Sequence, residues 1–126
     1  MGKPLTDVLT LAAVSLAIAG QAFAAGDAAA GKAVFTQNCA ICHSTDAGAN
    51  KIGPSLHGVV GRKSGSVSGF EYSPAMKAAD KTWDPQTLDT YLANPMQVVK
   101  GTKMIFPGLK SDTDRQNVIA YLETLK

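Results

Sequence analysis

The stretch Cys39-Ala40-Ile41-Cys42-His43, CAICH in one-letter code, decides how the rest of this chain is interpreted. It matches C-x-x-C-H, the pattern that attaches a c-type haem. In a helical turn this spacing puts both thiols on one side, where they can add to the two vinyl groups of one porphyrin edge. The histidine that follows is then delivered to one face of the ring, where its imidazole can ligate the iron.

Two other uses of closely spaced cysteines compete with haem attachment. A disulfide between Cys39 and Cys42 would form a redox-active C-x-x-C, but a thioredoxin-like dithiol needs a βαβ pattern that this sequence lacks. A closed zinc site would need two more ligands, and the chain has no other Cys and only one His besides His43, which disfavours such a site. The histidine directly after Cys42 therefore favours haem.

Residues 1–24 have the pattern of a secretory signal peptide. Lys3 supplies a basic start, an apolar run extends from Val8 to Ala19, and Ala22-Phe23-Ala24 fits the small-x-small cleavage pattern. The run is shorter than the ~18–20 residues that a membrane-spanning helix needs. We expect cleavage after Ala24 and export to the periplasm, with an uncleaved membrane anchor as the alternative.

Residues 25–126 are long enough for one domain with a small core. A core of about a hundred residues is marginal by itself, and a haem would supply the missing apolar bulk. The formal net charge of the chain is +2, too weak to indicate non-specific nucleic-acid binding.

Capping residues predict where the helices begin. We expect helices after Asp27, after Ser73-Pro74, after Asp84-Pro85 up to Asn94, and from Ser111 or Asp112 to the end. A glycine inside a helix costs up to ~1 kcal/mol relative to Ala. Gly31 is either merely tolerated there or present because another helix approaches closely. The segments 44–68 and 95–110 show no helical or strand period, so both are predicted to be loops, and long loops of this kind often wrap something.

A second iron ligand has several candidates on the residues alone. Met104 lies in GTKMIFPG, where Gly and Pro bend the chain and Ile105-Phe106 give apolar cover. Met96 and His57 remain open as alternatives, because a single Met is more often core filler than ligand.

The segments GKAVFTQNCAICHS, GPSLHGVVGRKSG, GTKMIFPGL and RQNVIAYL together resemble the class I cytochromes c, of the mitochondrial and bacterial cytochrome c2 type. The resemblance covers essentially all of residues 25–126. It implies a small all-α fold of about three to five helices, with long loops wrapped around one covalent haem c. In that fold the helix carrying Gly31 and Phe35 crosses the last helix near Val118 and Tyr121.

The resemblance also implies the residues of the haem site. Cys39 and Cys42 become the thioether attachments, and His43 and Met104 become the iron ligands. The remaining cofactor-binding residues are the Pro54 carbonyl as acceptor for His43 Nδ1, Arg62, Tyr72 and Trp83 as propionate donors, and Tyr91 and Thr102 beside the Met104 sulfur. Met76 stands where many relatives carry an Asn of the propionate network.

An electron carrier, and not an enzyme, is the function that the resemblance implies. Two protein ligands leave the iron no position for substrate or O₂. A ring of lysines at the exposed haem edge would dock redox partners such as a cytochrome bc1-type complex, an oxidase or a reaction centre; these are Lys51, Lys100, Lys103 and Lys110. We expect a monomer, with no nucleic-acid partner and no membrane insertion after cleavage. The alternatives are a haem enzyme or gas sensor with an open sixth site, and a haem module that works only as a subunit of a larger oxidoreductase.

The leader makes the first testable prediction. Because small residues at the cleavage site suit a signal peptidase, protein recovered from its host should begin at or near Ala25. It should be found in the periplasmic fraction. N-terminal sequencing of that fraction checks this. An intact N-terminus recovered with the membranes would show that the apolar run is an anchor.

Overall fold

The computed structural model describes residues 2–4, 13–15 and 25–126. Within these residues the chain is helical, and its only strand-like pairing is a single bridge between Lys63 and Thr82. The helices are α1 (Ala28–Asn38), α2 (Pro74–Lys77), α3 (Pro85–Ala93), α4 (Pro95–Val98) and α5 (Asp112–Glu123). The all-α prediction is therefore confirmed.

The signal-peptide interpretation of residues 1–24 lies almost entirely outside the described residues. Among the residues that are described, no helix is both long enough and apolar enough to cross a membrane.

Side-chain caps begin four of the helices where the sequence predicts them. The Asp27 carboxylate accepts hydrogen bonds from the backbone N–H groups of Ala29 and Ala30, at 2.8 and 3.2 Å, and so begins α1. The hydroxyl or carboxylate at each of the other predicted starts accepts a bond in the same way: Ser73, Asp84 and Ser111. These bonds satisfy N–H groups that the first helical turn leaves without a partner.

The segment 95–110 departs from the prediction that it has no regular structure. Its first four residues form α4, because Pro95 both prevents α3 from continuing and fits the first position of a new helical turn. Asn94 is shared as the last cap of α3 and the first cap of α4. The rest of the segment is irregular, and so is 44–68, as predicted.

α1 and α5 cross in the closest helix contact of the fold, at the place that the resemblance implies. Gly31 is buried there, and a Cβ atom on it would collide with the backbone carbonyl of Asn117 and lie 2.9 Å from the Cβ of Tyr121. The rings of Phe35 and Tyr121 pack beside it, with centroids 5.4 Å apart. The core continues from this crossing into α3 and the loops as an apolar cluster: Phe35, Val59, Trp83, Leu88, Tyr91, Val99, Leu109, Val118, Ile119 and Leu122.

Arg115 joins α5 to α3 and to the irregular chain that follows Met104. Its guanidinium is paired with the carboxylates of Asp89, at 2.9 Å, and Asp112. It also donates to the backbone carbonyl of Leu109 at 2.8 Å. The Asp89 carboxylate is the main cause that raises the pKa of Arg115. This buried cation therefore fixes one end of the segment that carries Met104.

The variant Gly31→Ala separates packing from helix propensity, because the two predict opposite changes in the free energy of unfolding. Propensity alone would stabilise the protein by about 1 kcal/mol. The added methyl meets backbone that cannot rotate away, so we expect a net loss of about 1–3 kcal/mol in the free energy of unfolding. Denaturant unfolding measures it, with the exposed neighbour Ala30→Gly as the control that reports propensity alone. A Gly31→Ala protein more stable than the native one would contradict the close crossing.

Candidate functional site

His43 follows the end of α1 and is held by a hydrogen bond to a distant loop. Its Nδ1 lies 2.8 Å from the backbone carbonyl of Pro54. A carbonyl can only accept, so Nδ1 carries the proton and Nε2 keeps its lone pair. The ring lies against Gly53, where a Cβ atom would collide with it. Burial lowers the pKa of His43, and the bond to Pro54 opposes that shift, so the geometry presents a neutral imidazole whose Nε2 can bind a metal.

Cys39 and Cys42 are both free thiols, in the turn that follows α1. Backbone bonds from Cys42 N–H and His43 N–H to the carbonyl of Cys39, at 3.1 and 2.9 Å, hold this turn. Burial, together with the neighbouring Cys42, raises the pKa of Cys39 to about 11. The two cysteines are thus fixed on one short turn directly before the imidazole, and neither forms a disulfide.

Met104 lies beside Tyr91 and Thr102. The Tyr91 hydroxyl is 3.9 Å from Met104 Sδ, and the Met104 N–H donates to Thr102 Oγ1 at 3.2 Å. Burial raises the pKa of Tyr91 to about 12, and the hydrogen bond from Thr102 opposes that rise. The thioether therefore lies in an apolar setting with one weak donor directed at it.

Arg62 and Trp83 flank the bridge between Lys63 and Thr82, and Tyr72 lies near enough to Arg62 to affect its pKa. Trp83 N–H donates to the Arg62 carbonyl at 2.9 Å, so the two residues are joined through their backbones. The Arg62 guanidinium donates to two carbonyls, Ser55 and His57, both at 3.1 Å. Burial lowers the pKa of Arg62, and Tyr72 opposes this. The described residues give this half-buried cation no ion pair, which suits it to the carboxylate of a bound molecule.

The other two ligand candidates are Met96 and His57. Met96 is on the short helix α4 and is 44% exposed. His57 Nδ1 lies 3.2 Å from the Thr45 carbonyl, so its ring braces the loop.

The lysines of the expected docking ring are all exposed. Three of them reach backbone carbonyls: Lys51 to Ala40, Lys103 to Glu71, and Lys110 to both Ala93 and Pro107.

The side chains at this site fit a covalent haem. They supply two free thiols, an imidazole whose Nδ1 is already hydrogen-bonded, a thioether packed against the apolar core and a guanidinium with no ion pair among the described residues. Several apolar side chains near these groups pack against the core without being fully buried, and a flat apolar ring could cover them: Leu56, Val60, Ala75, Met76, Ala79 and Phe106. Fold and donor set together define a small helical haem protein of the c type.

Comparison with known proteins identifies the family. The family model for cytochrome c matches residues 28–126. Cytochrome c2 of Rhodomicrobium vannielii is 49% identical over 117 residues, covering 92% of this chain and 93% of that protein. Cytochrome c type-1 of Ascaris suum is 50% identical over 98 residues, covering 78% and 88%. Among solved structures, cytochrome cH from Methylobacterium extorquens aligns with a TM-score of 0.74 and 44% identity, over 79% of this chain and 99% of its own.

The chain belongs to the cytochrome c family. It carries one covalently attached haem c, and CAICH is its attachment motif. Like the other members it is an electron carrier rather than an enzyme.

Three residues that support the site were not predicted from the sequence. Gly53 leaves room for the His43 ring to lie against the backbone. The Asn50 side chain hydrogen-bonds Ser55 and Ser68. Arg115 holds the chain after Met104 through the Leu109 carbonyl. Gly53 directly before Pro54 was a signal available in the sequence. Asn50 and Arg115 also bond residues far along the chain, Ser68 and Asp89, and no local pattern reports such contacts.

The raised pKa of Tyr91 predicts a loss of stability at high pH. Below about pH 10 the phenol is neutral in both states and contributes nothing; above it the unfolded chain ionises first. The free energy of unfolding should therefore fall between about pH 10 and the folded pKa of about 12. The loss from this residue is about 3 kcal/mol. Denaturation across that range should show a shallower fall for Tyr91→Phe, and parallel curves for the two proteins would refute the prediction.

Proposed function

We propose that this protein is exported, cleaved after Ala24, and carries single electrons between redox proteins in the periplasm as a monomer. Cys39 and Cys42 attach the haem, and His43 and Met104 are its axial ligands. Arg62, Tyr72 and Trp83 hold the propionates. Pro54 orients the imidazole, and Tyr91 and Thr102 set the surroundings of the thioether.

One observation carries this proposal: the imidazole and the thioether are each oriented by a partner that leaves one donor atom for a metal. Pro54 takes the Nδ1 proton of His43 at 2.8 Å, and Nε2 remains. Tyr91 and Thr102 hold the Met104 segment by its sulfur and its backbone. A soft donor paired with an imidazole is the ligand set of high-potential electron carriers.

Held by Cys39, Cys42, His43 and Met104, a haem c would supply one-electron transfer between its ferric and ferrous states. The protein's residues control how easily this happens. A thioether favours ferrous iron, and apolar side chains such as Phe106 and Leu56 exclude the water that would stabilise the extra ferric charge. The Arg62 guanidinium offsets the negative charge of a propionate, because it has no carboxylate partner among the described residues.

Exposed lysines support docking of acidic partners at the haem edge. The Lys51 ammonium lies 2.8 Å from the Ala40 carbonyl, inside the attachment motif itself. Lys103 is next to Met104 in the chain, and its ammonium bonds the Glu71 carbonyl at 3.1 Å. These bonds hold one positive charge near the segment that contains His43 and another near the segment that contains Met104. The rate of encounter with an acidic partner should therefore depend on salt concentration.

Met104→Ala tests the proposed function. The variant should stay folded and keep its haem, because the thioethers and His43 still hold it. Loss of the sulfur opens the sixth position to added cyanide and removes the donor that favours ferrous iron. The reduction potential should therefore fall by a sizeable part of the ~0.8 V that axial ligands span. Potentiometric titration and the ferric absorption spectrum, with its sulfur charge-transfer band, measure both effects.

Met96→Ala and His57→Ala are the matched controls and should keep the native spectrum and potential. If either control loses the sixth ligand while Met104→Ala keeps it, the iron site is assigned wrongly. A native protein that already binds cyanide without losing a sulfur ligand would instead indicate an open-site haem enzyme or sensor.

A further inference from the structure

One peptide group in the loop after the attachment motif is hydrogen-bonded at both ends. The carbonyl of Pro54 accepts from His43 Nδ1 at 2.8 Å. The N–H of the same peptide group, on Ser55, donates to Asn50 Oδ1 at 3.0 Å. The Asn50 amide is therefore linked to the iron-ligand candidate through one planar, conjugated unit.

The Asn50 side chain is itself held in place. Its Nδ2 donates to the Ser68 carbonyl at 3.1 Å, so one partner accepts from the amide while the other donates to it. This pair of partners fixes which end of the amide is oxygen. Asn50 thus presents its carbonyl to Ser55 in a fixed direction.

The Pro54–Ser55 peptide has little freedom to turn. Ser55 is 3% exposed, its hydroxyl donates to the Asp46 carbonyl at 2.6 Å, and its own carbonyl accepts from Arg62 at 3.1 Å. On the near side, Gly53 N–H donates to the Cys42 carbonyl at 2.8 Å. The loop thereby keeps the two ends of the peptide pointed at Asn50 and His43.

Hydrogen bonds in series polarise one another, by perhaps ~10–30% per bond. When Asn50 Oδ1 accepts from the Ser55 N–H, electron density in the peptide group moves toward the Pro54 oxygen. That oxygen becomes a stronger acceptor for the Nδ1 proton of His43. A stronger hydrogen bond from Nδ1–H to this oxygen leaves more electron density on the ring and makes Nε2 a better electron donor. A better nitrogen donor favours ferric iron.

We propose that Asn50 is a positioning residue that lowers the reduction potential of the bound haem by acting on His43 through the Pro54–Ser55 peptide. This rests on the proposed function, in which His43 ligates the iron. Among the described residues the Asn50 side chain hydrogen-bonds Ser55 and Ser68 and not His43, so its effect passes through the peptide group.

Asn50→Ala tests the proposal, with His57→Ala as its matched control. Each variant removes one side-chain bond to a backbone carbonyl of the same loop system, Asn50 to Ser68 and His57 to Thr45. Only Asn50→Ala also removes the acceptor from the Ser55 N–H. A purely structural role predicts that both lose stability and that neither shifts the potential selectively.

We expect the potential to rise in Asn50→Ala alone. Losing a direct partner of a metal-bound histidine typically changes affinity or activity by ~10–100-fold, and a bond one step further out should do less. We expect about a three-fold change in the electron-exchange equilibrium with a fixed reference couple, which is about 30 mV for one electron. The NMR signal of the His43 Nδ1 proton should move upfield, toward a weaker hydrogen bond, in this variant only.

An Asn50→Ala protein that keeps the native spectrum, the native potential and an unmoved Nδ1 proton would overturn the proposal. Failure of the proposed function would look different, because the unaltered protein would then lack the spectrum of a His/Met-ligated haem. If Asn50→Ala does not assemble, the native ferrous protein decides the matter. A scalar coupling across the hydrogen bond from the Ser55 nitrogen to Asn50 Cγ supports the link, and its absence refutes it.

Discussion

The near contact of the α1 and α5 backbones is the constraint on which the rest of the structure depends. Gly31 lets the two helices approach until a single added carbon would collide with Asn117, and Val118, Ile119 and Phe35 close the core around that point. α1 then ends at Asn38, so the thiols and the imidazole of CAICH emerge in one turn at the margin of this core. The helices thus determine where the attachment motif lies, although they contain neither the proposed second ligand nor the proposed propionate donors.

The irregular chain supplies those groups, and fixed polar contacts hold it. Pro54 and Asn50 in the first loop bond His43 and Ser55. Arg115 bonds Leu109 in the second loop and pairs with Asp89 on α3. Long loops normally cost conformational entropy and carry mobile side chains. Here hydrogen bonds within the first loop, and a hydrogen bond from Arg115 of α5 to the second, restrict that freedom near Pro54 and after Met104.

Local signals in the sequence predicted most of the helices, because a capping side chain and the turn it caps are neighbours in the chain. Asp27, Ser73, Asp84 and Ser111 all cap as expected. The short helix α4 was missed, since Pro95 was interpreted only as a stop. The haem-attachment motif CAICH was predicted from residue spacing alone. Met104 was preferred over Met96 and His57 as the second ligand only because of the family resemblance. Asn50, Gly53 and Arg115 were not predicted, because their importance lies in contacts that chain folding creates and no period or motif encodes.

The central proposal is that His43 and Met104 would give the haem iron one imidazole nitrogen and one thioether sulfur, so that the bound haem would only transfer electrons. Iron K-edge X-ray absorption on the unaltered, haem-loaded protein tests this most directly, because it counts sulfur donors at the metal without any substitution. The account predicts one sulfur scatterer in both the ferric and the ferrous protein, with all remaining donors nitrogen. A first coordination sphere without sulfur in either oxidation state would contradict it.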